Sequence, residues 1–482
     1  VSIPSPAPTF DRRDPPTPER VWCAAPAWQH TPVLDLDALV DRWGHVVVAS
    51  AHPDDETLGV GALLAALADR AVTITVLVAT AGERSHDLAD PGERVLLAER
   101  RRGELERALA LLAPQARLVH LHHPDTGLDS RIDELTTEIG EHLGAGTLLL
   151  APWVHDGHGD HDALGRAAQL AGARHQVAVA HYLVWLWHWS TPSQVAWDHV
   201  VAAETPPGAV RRKRAALECF PSQTTAWGGD MDGSGPTPVV DAQSLARARR
   251  LVEALLDPAG VLPRLPSFSL TRRNETRAAV FDEMYADGPD AWRVHGSFYE
   301  ARRRDLVLSM LGRAHYSRGL EVGCADGHLT AALVQRVSDL RAVDVSPVAV
   351  EHARTAAPGA HVTVGAAPAA IPGGPFDLVV LSEVGYFLTP TELLATLAKA
   401  QSALSAEGEL VLCHWQHPTT DVPLDGALVH QQAQDAWGGP PQVQYRDPDV
   451  RIDIWTCAAS VASREGRNTA QSGDDRGDPS RA

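Results

Sequence analysis

The sequence predicts an α/β protein made of two doubly wound domains in series. Three observations lead there. The chain has 482 residues, roughly two to three times a typical single domain. Short apolar strands alternate with amphipathic helices, and the cycle starts twice. A cluster of chemically active residues follows directly on a strand in each half, where ligands bind in a parallel sheet.

The first cycle opens with His45-Val46-Val47-Val48-Ala49-Ser50, a β-branched run that suits a strand buried on both faces. A helix over Gly59 to Arg70 follows, with Leu63, Leu64 and Leu67 on one face. Val72 to Thr80 is a second strand. Glu93 to Leu112 reads as a long helix with Leu97, Leu105, Leu109 and Leu112 on its apolar side. Leu118 to Leu121 and Thr147 to Ala151 complete the strands. The alternation loses regularity near residue 200, with breaks at Gly228-Gly229-Asp230 and Gly233 to Pro236. Ala242 to Leu256 then reads as a helix, and Pro258 to Pro266 as the start of an inter-domain region. The second cycle has strands at Arg318 to Val322, Leu340 to Val345, Phe376 to Ser382 and Glu409 to His414, with a helix over Leu329 to Val337. The expected division is a flexible leader at 1–20, a first domain at 21–257, a linker at 258–280, a second domain at 281–462 and a disordered tail at 463–482.

Composition narrows the partners. The net charge is −19, from 42 basic and 61 acidic side chains. Nucleic acid and anionic membrane would be repelled by such a chain unless it carried a large basic patch. The one basic run, Arg211-Arg212-Lys213-Arg214, reads as a solvated helix face. Five cysteines without a CxxC pair argue against disulfides and a cysteine zinc site, and point to a reducing cytoplasm. No apolar run approaches the ~18 residues that span a bilayer. The proline-rich first twenty residues lack the apolar stretch of a signal peptide.

Two clusters in the first half could converge on one ion. His52-Pro53-Asp54-Asp55-Glu56 follows the first strand, and His155-Asp156-Gly157-His158-Gly159-Asp160-His161 follows the fourth. Imidazole nitrogen and carboxylate oxygen suit zinc or a related divalent ion. Such an ion acidifies a bound water, a free carboxylate takes its proton, and an imidazole can serve the oxyanion or the leaving amine. Asp54 and Asp55 can divide these duties because successive side chains point different ways. His120, His122 and His123 lack an acidic cluster at ligand spacing and read as ordinary histidines. His155 and Asp156 read either as supports for the ligands or as plain loop residues.

These motifs resemble the PIG-L (LmbE-like) family of zinc-dependent deacetylases, which act mainly on N-acetylglucosamine units. The resemblance covers roughly residues 44 to 225. It rests on Ala51 to Glu56 and His158-Gly159-Asp160-His161, with glycine at 159 where the family usually has proline. Thr80 to Arg84, Arg101 with Glu104, Pro124 to Leu128, Lys213 and Ser222-Gln223 add to it. It implies His52, Asp55 and His161 as metal ligands, Asp54 as general base and His158 as acid or oxyanion partner. Arg101 and Asp125 become candidate sugar or phosphate contacts.

In the second half, Glu321-Val322-Gly323-Cys324-Ala325-Asp326-Gly327 closes a strand and opens a helix. Its glycines permit a tight turn and close backbone approach to a ligand. Asp344 ends the next strand, placed to accept from ribose hydroxyls. Ala325 in place of a middle glycine, and Glu321 before the turn, separate it from a nicotinamide site. The form resembles the first motif of class I S-adenosylmethionine methyltransferases. Stretches from Tyr285 through Pro289-Asp290-Ala291-Trp292, Phe298 to Arg303, Ala342 to Ser346, Phe376 to Val384 and His414-Trp415 resemble the nodulation-factor N-methyltransferases. Glu321, Gly323, Gly327 and Asp344 are the expected donor-binding residues. Tyr285, Trp292 and Tyr299 are candidates for an aromatic lid or for core. Glu383 could accept an amine proton or hydrogen-bond the donor. Gly385 and Phe387 depart from the pattern where acceptor choice would be set.

The expectation is a bifunctional enzyme on a small-molecule amino sugar: metal-dependent N-deacetylation, then N-methylation of the freed amine by S-adenosylmethionine. The alternatives are two activities on different positions of a secondary metabolite, or a deacetylase with a non-catalytic S-adenosylmethionine sensor.

Overall fold

In a computed structural model the described residues are 14–225, 238–265, 270–285, 296–418 and 422–467. The expected breaks at Gly228 and Gly233, the candidate lid residue Trp292 and the tail beyond residue 467 lie outside them.

Every residue of the first strand after His45 is buried, as its β-branched sequence requires. That strand, β1 (His45–Ser50), pairs in parallel with β2 (Thr73–Val78) and with β4 (Thr147–Pro152). β3 (Arg117–His120), β5 (Ala178–Tyr182), β6 (Val200–Glu204) and β7 (Val252–Leu256) complete a sheet of order β3-β2-β1-β4-β5-β7-β6. Alternate β1 side chains enter separate cores. Val46 and Val48 join Leu63, Leu64, Leu105 and Leu109 from the helices Asp55–Ala68 and Pro91–Leu112. Val47 and Ala49 join Leu135, Ile139, Ala167 and Ala168 from the helices Ile132–Gly140 and Gly159–His175. The sheet is thus covered on both faces, and its strand order reverses between β1 and β4.

The second sheet repeats the plan. β8 (Tyr316–Val322), β9 (Val337–Asp344), β10 (His361–Val364), β11 (Phe376–Ser382), β12 (Leu404–Trp415), β13 (Val443–Arg446) and β14 (Val450–Thr456) stand in the order β10-β9-β8-β11-β12-β14-β13. Its order reverses between β8 and β11. The pairs from β10 to β12 are parallel, and β14 is antiparallel to both its neighbours.

The structure corrects three expectations. The helix expected over Ala242 to Leu256 stops at Ala248, and Val252–Leu256 is strand β7, antiparallel between β5 and β6. Glu, Ala and Leu favour a helix locally, but all five β7 side chains are buried, and sheet pairing overrides that propensity. Only the first half of the basic run faces solvent: Arg211 is exposed, whereas Lys213 and Arg214 are buried on the helix Pro207–Leu217. Each has an acidic partner, Glu253 and Asp435. Within the leader, Glu19 is buried and its carboxylate accepts from Arg250 Nη2 at 2.6 Å.

The chain divides into two compact units. The first runs to Arg273 and takes in Gly385–Lys399 and Pro418–Pro440; the second holds Asn274–Val384, Ala400–His417 and the described residues after Pro440. At the start of the expected linker, Val261 and Leu262 donate their backbone amides to Asp257, and its last residues belong to the helix Leu270–Tyr285.

Candidate functional site

Both clusters of the first half leave the carboxyl ends of β1 and β4, on either side of the strand-order reversal. Asp54 caps the helix Asp55–Ala68 with φ 147° and ψ −23°, a strained conformation for a residue with a Cβ. His158 caps the helix Gly159–His175. The two helix starts carry the motif side chains toward each other. His52 Nδ1 lies 3.5 Å from Asp55 Oδ2, and His161 Nε2 lies 3.2 Å from Asp55 Oδ1. Ligand atoms of His52, His158 and His161 fall within 4.8 Å of one another, as do those of His52, Asp125 and Asp160.

This donor set fits a divalent ion. His161 Nε2 is buried beside the Asp55 carboxylate without a hydrogen-bond partner among the described residues. Its other nitrogen, Nδ1, is 2.8 Å from Asp156 Oδ2. A carboxylate behind an imidazole fixes the ring and strengthens it as a ligand. Burial opposes the His161 imidazolium, but Asp55 and Asp156 raise its pKa to about 10. A proton there takes the place a cation would hold. Asp156 also accepts from the amides of Val184, Trp185 and Leu186, so one carboxylate joins His161 to the loop after β5.

Asp54 stands apart from the donor set. Burial pushes its carboxyl up to about 7, against the pull of the Arg101 guanidinium. Arg101 Nη2 is 3.2 Å from Asp54 Oδ1, and the same side chain donates to the carbonyls of Gly82 and Pro53. Arg101 is only 2% exposed, so its place is behind the motif. Burial pulls the His158 imidazole down to about 3, which leaves it neutral. Its ring stacks on Trp185 with centroids 6.3 Å apart. Asp125, also buried, faces His52 Nε2 at 3.3 Å and accepts from Arg84 N. His155 is half-buried against the Trp153 ring. His123 pairs with Glu138, and His120 lies against His122, away from the donor set.

The sequence reading gave no role to Asp160, Trp185 or the Lys213–Glu253 pair. Asp160 Oδ2 is 3.4 Å from His52 Nε2, and its carboxylate accepts from Thr126 N and Leu128 N. Its position inside the His158–His161 motif was the available signal. Trp185 and Glu253 carry no local signal.

In the second unit the turn after β8 lies at the β8–β11 reversal. Gly323 and Gly327 have φ of 76° and 87°. A Cβ on Gly327 would stand 2.7 Å from Ala353 Cα, so the turn needs both freedom and space. Asp344 Oδ2 accepts from Ala325 N at 2.9 Å, which ties the acid at the end of β9 to the turn. Glu321 is buried at the end of β8, and burial raises its pKa to about 8. Glu383 follows β11 with φ 58°; its Oε1 accepts from Trp415 N at 2.8 Å and lies 3.7 Å from Arg303 Nη1. Tyr299 packs edge-on against Trp415, while Tyr285 is buried against His352. The glycine cradle with its two acids fits an adenosyl methyl donor.

Each half of the chain is similar to known proteins. The GlcNAc-PI de-N-acetylase (PIG-L) family profile matches residues 47–171, and the nodulation protein S (NodS) profile matches residues 275–417. A 1D-myo-inositol 2-acetamido-2-deoxy-α-D-glucopyranoside deacetylase of Nocardioides sp. is 31% identical over 257 residues, covering 42% of this chain and 79% of the relative. A second deacetylase of that name, from Saccharopolyspora erythraea, is 38% identical over 68 residues. That match spans 13% of this chain and only 25% of the relative. The N-methyltransferase NodS of Bradyrhizobium japonicum, solved with S-adenosyl-L-homocysteine, is 20% identical, with 37% of this chain and 97% of that one covered at a TM-score of 0.32. The chain belongs to the PIG-L deacetylase family through its N-terminal half and carries a NodS-type methyltransferase domain in its C-terminal half.

Proposed function

We propose that the protein removes the acetyl group from an N-acetylated amino sugar or its glycoside and then methylates the amine it has freed. The observation that carries this reading is the presence, in one chain, of a hydrolytic donor set and a methyl-donor cradle. The chemistry orders them. An amide nitrogen is a poor nucleophile toward a sulfonium methyl because its lone pair is delocalised into the carbonyl. Hydrolysis turns it into an amine that can attack in line.

His52, Asp55 and His161 would hold the metal, with zinc preferred for this donor set. When bound, such an ion polarises the acetyl carbonyl and acidifies water. Asp54 takes the proton of the attacking water, and Arg101 holds its carboxylate in place. His158, neutral and stacked on Trp185, donates a ring N–H to the oxyanion. The amide C–N bond breaks, acetate leaves, and the nitrogen carries away the proton that Asp54 took from water. Its ammonium form must then lose a proton before it can accept a methyl group. In the second unit the turn from Gly323 to Gly327, with Glu321 and Asp344, holds S-adenosylmethionine. Glu383, fixed by Trp415 N, stands at the end of β11 to receive an amine proton or to hold the donor.

Mass spectrometry tests the reading. The full chain is incubated with N-acetylglucosaminides, zinc and S-adenosylmethionine. Loss of acetyl followed by gain of methyl on the same nitrogen supports it. Acetyl loss with no methyl gain on any acceptor favours a sensing role for the second domain instead.

A further inference from the structure

The helix that begins with the metal motif is broken one turn later, and a buried ion pair occupies the break. Val60 has φ −137° and ψ 21°, outside the helical range. In an unbroken helix Ala62 N would donate to Leu58 O, and Leu63 N to Gly59 O. Here both amides donate to one carboxylate: Ala62 N to Glu253 Oε1 and Leu63 N to Glu253 Oε2, each at 2.8 Å. The released carbonyl of Leu58 accepts from Lys213 Nζ at 2.9 Å. Lys213 Nζ closes the arrangement on Glu253 Oε1 at 2.7 Å. The two residues come from the helix Pro207–Leu217 and strand β7, and are 2% and 4% exposed. Close approach is built in, since a Cβ on Gly61 would stand 3.1 Å from Lys213 Cγ.

A side chain inserted in the hydrogen-bond ladder is a recognised cause of a kink. Its position here is what matters. Leu58 N donates to Asp54 O at 2.8 Å, so the residues from Asp54 to Leu58 form one closed turn. That turn carries Asp54, Asp55 and Glu56, and Lys213 grips its far end. In a straight helix this turn would share the axis of the buried segment beyond Gly61. The break lets the turn take its own direction. Two hydrophobic residues could fill the same space, but neither would satisfy the two freed amides and the Leu58 carbonyl.

We infer that the Lys213–Glu253 pair is a positioning device for the metal-binding turn: it holds the helix open so that Asp55 meets His52 and His161. The inference rests on the reading of those three residues as ligands.

The test uses the full chain, with Co²⁺ alone as probe of the ligand set. Wild type, Lys213→Met and Glu253→Gln are titrated with Co²⁺, and visible spectra are recorded. S-adenosyl-L-homocysteine affinity of the same samples reports on the second domain. The expected result is a loss of Co²⁺ affinity on the order of tenfold to a hundredfold, an altered Co²⁺ absorption band and unchanged S-adenosyl-L-homocysteine binding. Glu253→Gln keeps the shape and one acceptor, so it decides the matter if Lys213→Met fails to fold. A folded variant with wild-type Co²⁺ affinity and spectrum, or unfolding of both variants, overturns the inference and leaves the pair a structural one. Failure of the wild-type chain to bind Co²⁺ instead removes the metal reading on which the inference stands.

Discussion

At the residue scale the adjacent Asp54 and Asp55 differ in what surrounds them. Asp55 is flanked by two imidazoles, whereas Asp54 faces a guanidinium across a strained cap. Asp54→Asn is expected to keep bound metal, since no ligand is touched, and to lower deacetylation by about 10²- to 10⁴-fold. Metal analysis alongside turnover checks both halves of that statement; retained turnover in a metal-loaded sample contradicts it. Asp156→Asn removes the carboxylate behind His161 Nδ1. It should weaken metal binding by about 10- to 100-fold, read by competition with a chelator. The proposed ligands were legible in the sequence as two clusters, each directly following a buried strand. Asp156 was legible only as an ambiguous neighbour: what fixes its role is the hydrogen bond to His161 and three amides of a loop nearly 30 residues away. The placement of Arg101 behind Asp54 depends on a contact across 47 positions and left no local trace.

Legibility at the element scale depends on where an element's partners lie. β1 and β11 were readable because their runs of Val, Leu and Ala bury on both faces whatever their neighbours. β7 was misread because Glu253 looks like a helix-surface residue until Lys213 is beside it. The end of β8 yields a further prediction. Burial raises the Glu321 carboxyl from 4.5 to about 8, so the fold favours its protonated form. This contribution to stability is present in full below about pH 4.5 and is lost as pH rises through about 8. Glu321→Gln should therefore lose less stability between pH 5 and pH 8 than wild type, measured by denaturant unfolding without donor. A parallel loss in both proteins would show that Glu321 does not titrate in this range. The neighbouring Asp344 anchors the turn through Ala325 N. Asp344→Ala should weaken S-adenosyl-L-homocysteine binding and leave deacetylation intact, as calorimetry and an acetate-release assay would show together.

For the whole molecule, the same architecture occurs twice with different chemistry at the reversal of strand order. Both sheets turn antiparallel at one edge, which the simple strand–helix alternation did not announce. None of the described helices is long and apolar enough to cross a membrane. Two separate sites imply separable activities. A chelator should abolish deacetylation while S-adenosyl-L-homocysteine affinity is unchanged, and a fall in both would show that the metal supports more than the first unit. The first reaction is proposed to make the nucleophile for the second. This order is tested most directly by offering Asp54→Asn, with isotopically labelled S-adenosylmethionine, an N-acetylated sugar glycoside and its free-amine counterpart in parallel. Label is expected on the nitrogen of the free amine and none on the acetylated compound. Label on the acetylated compound, or none on either while wild type labels the acetylated one, would contradict that order.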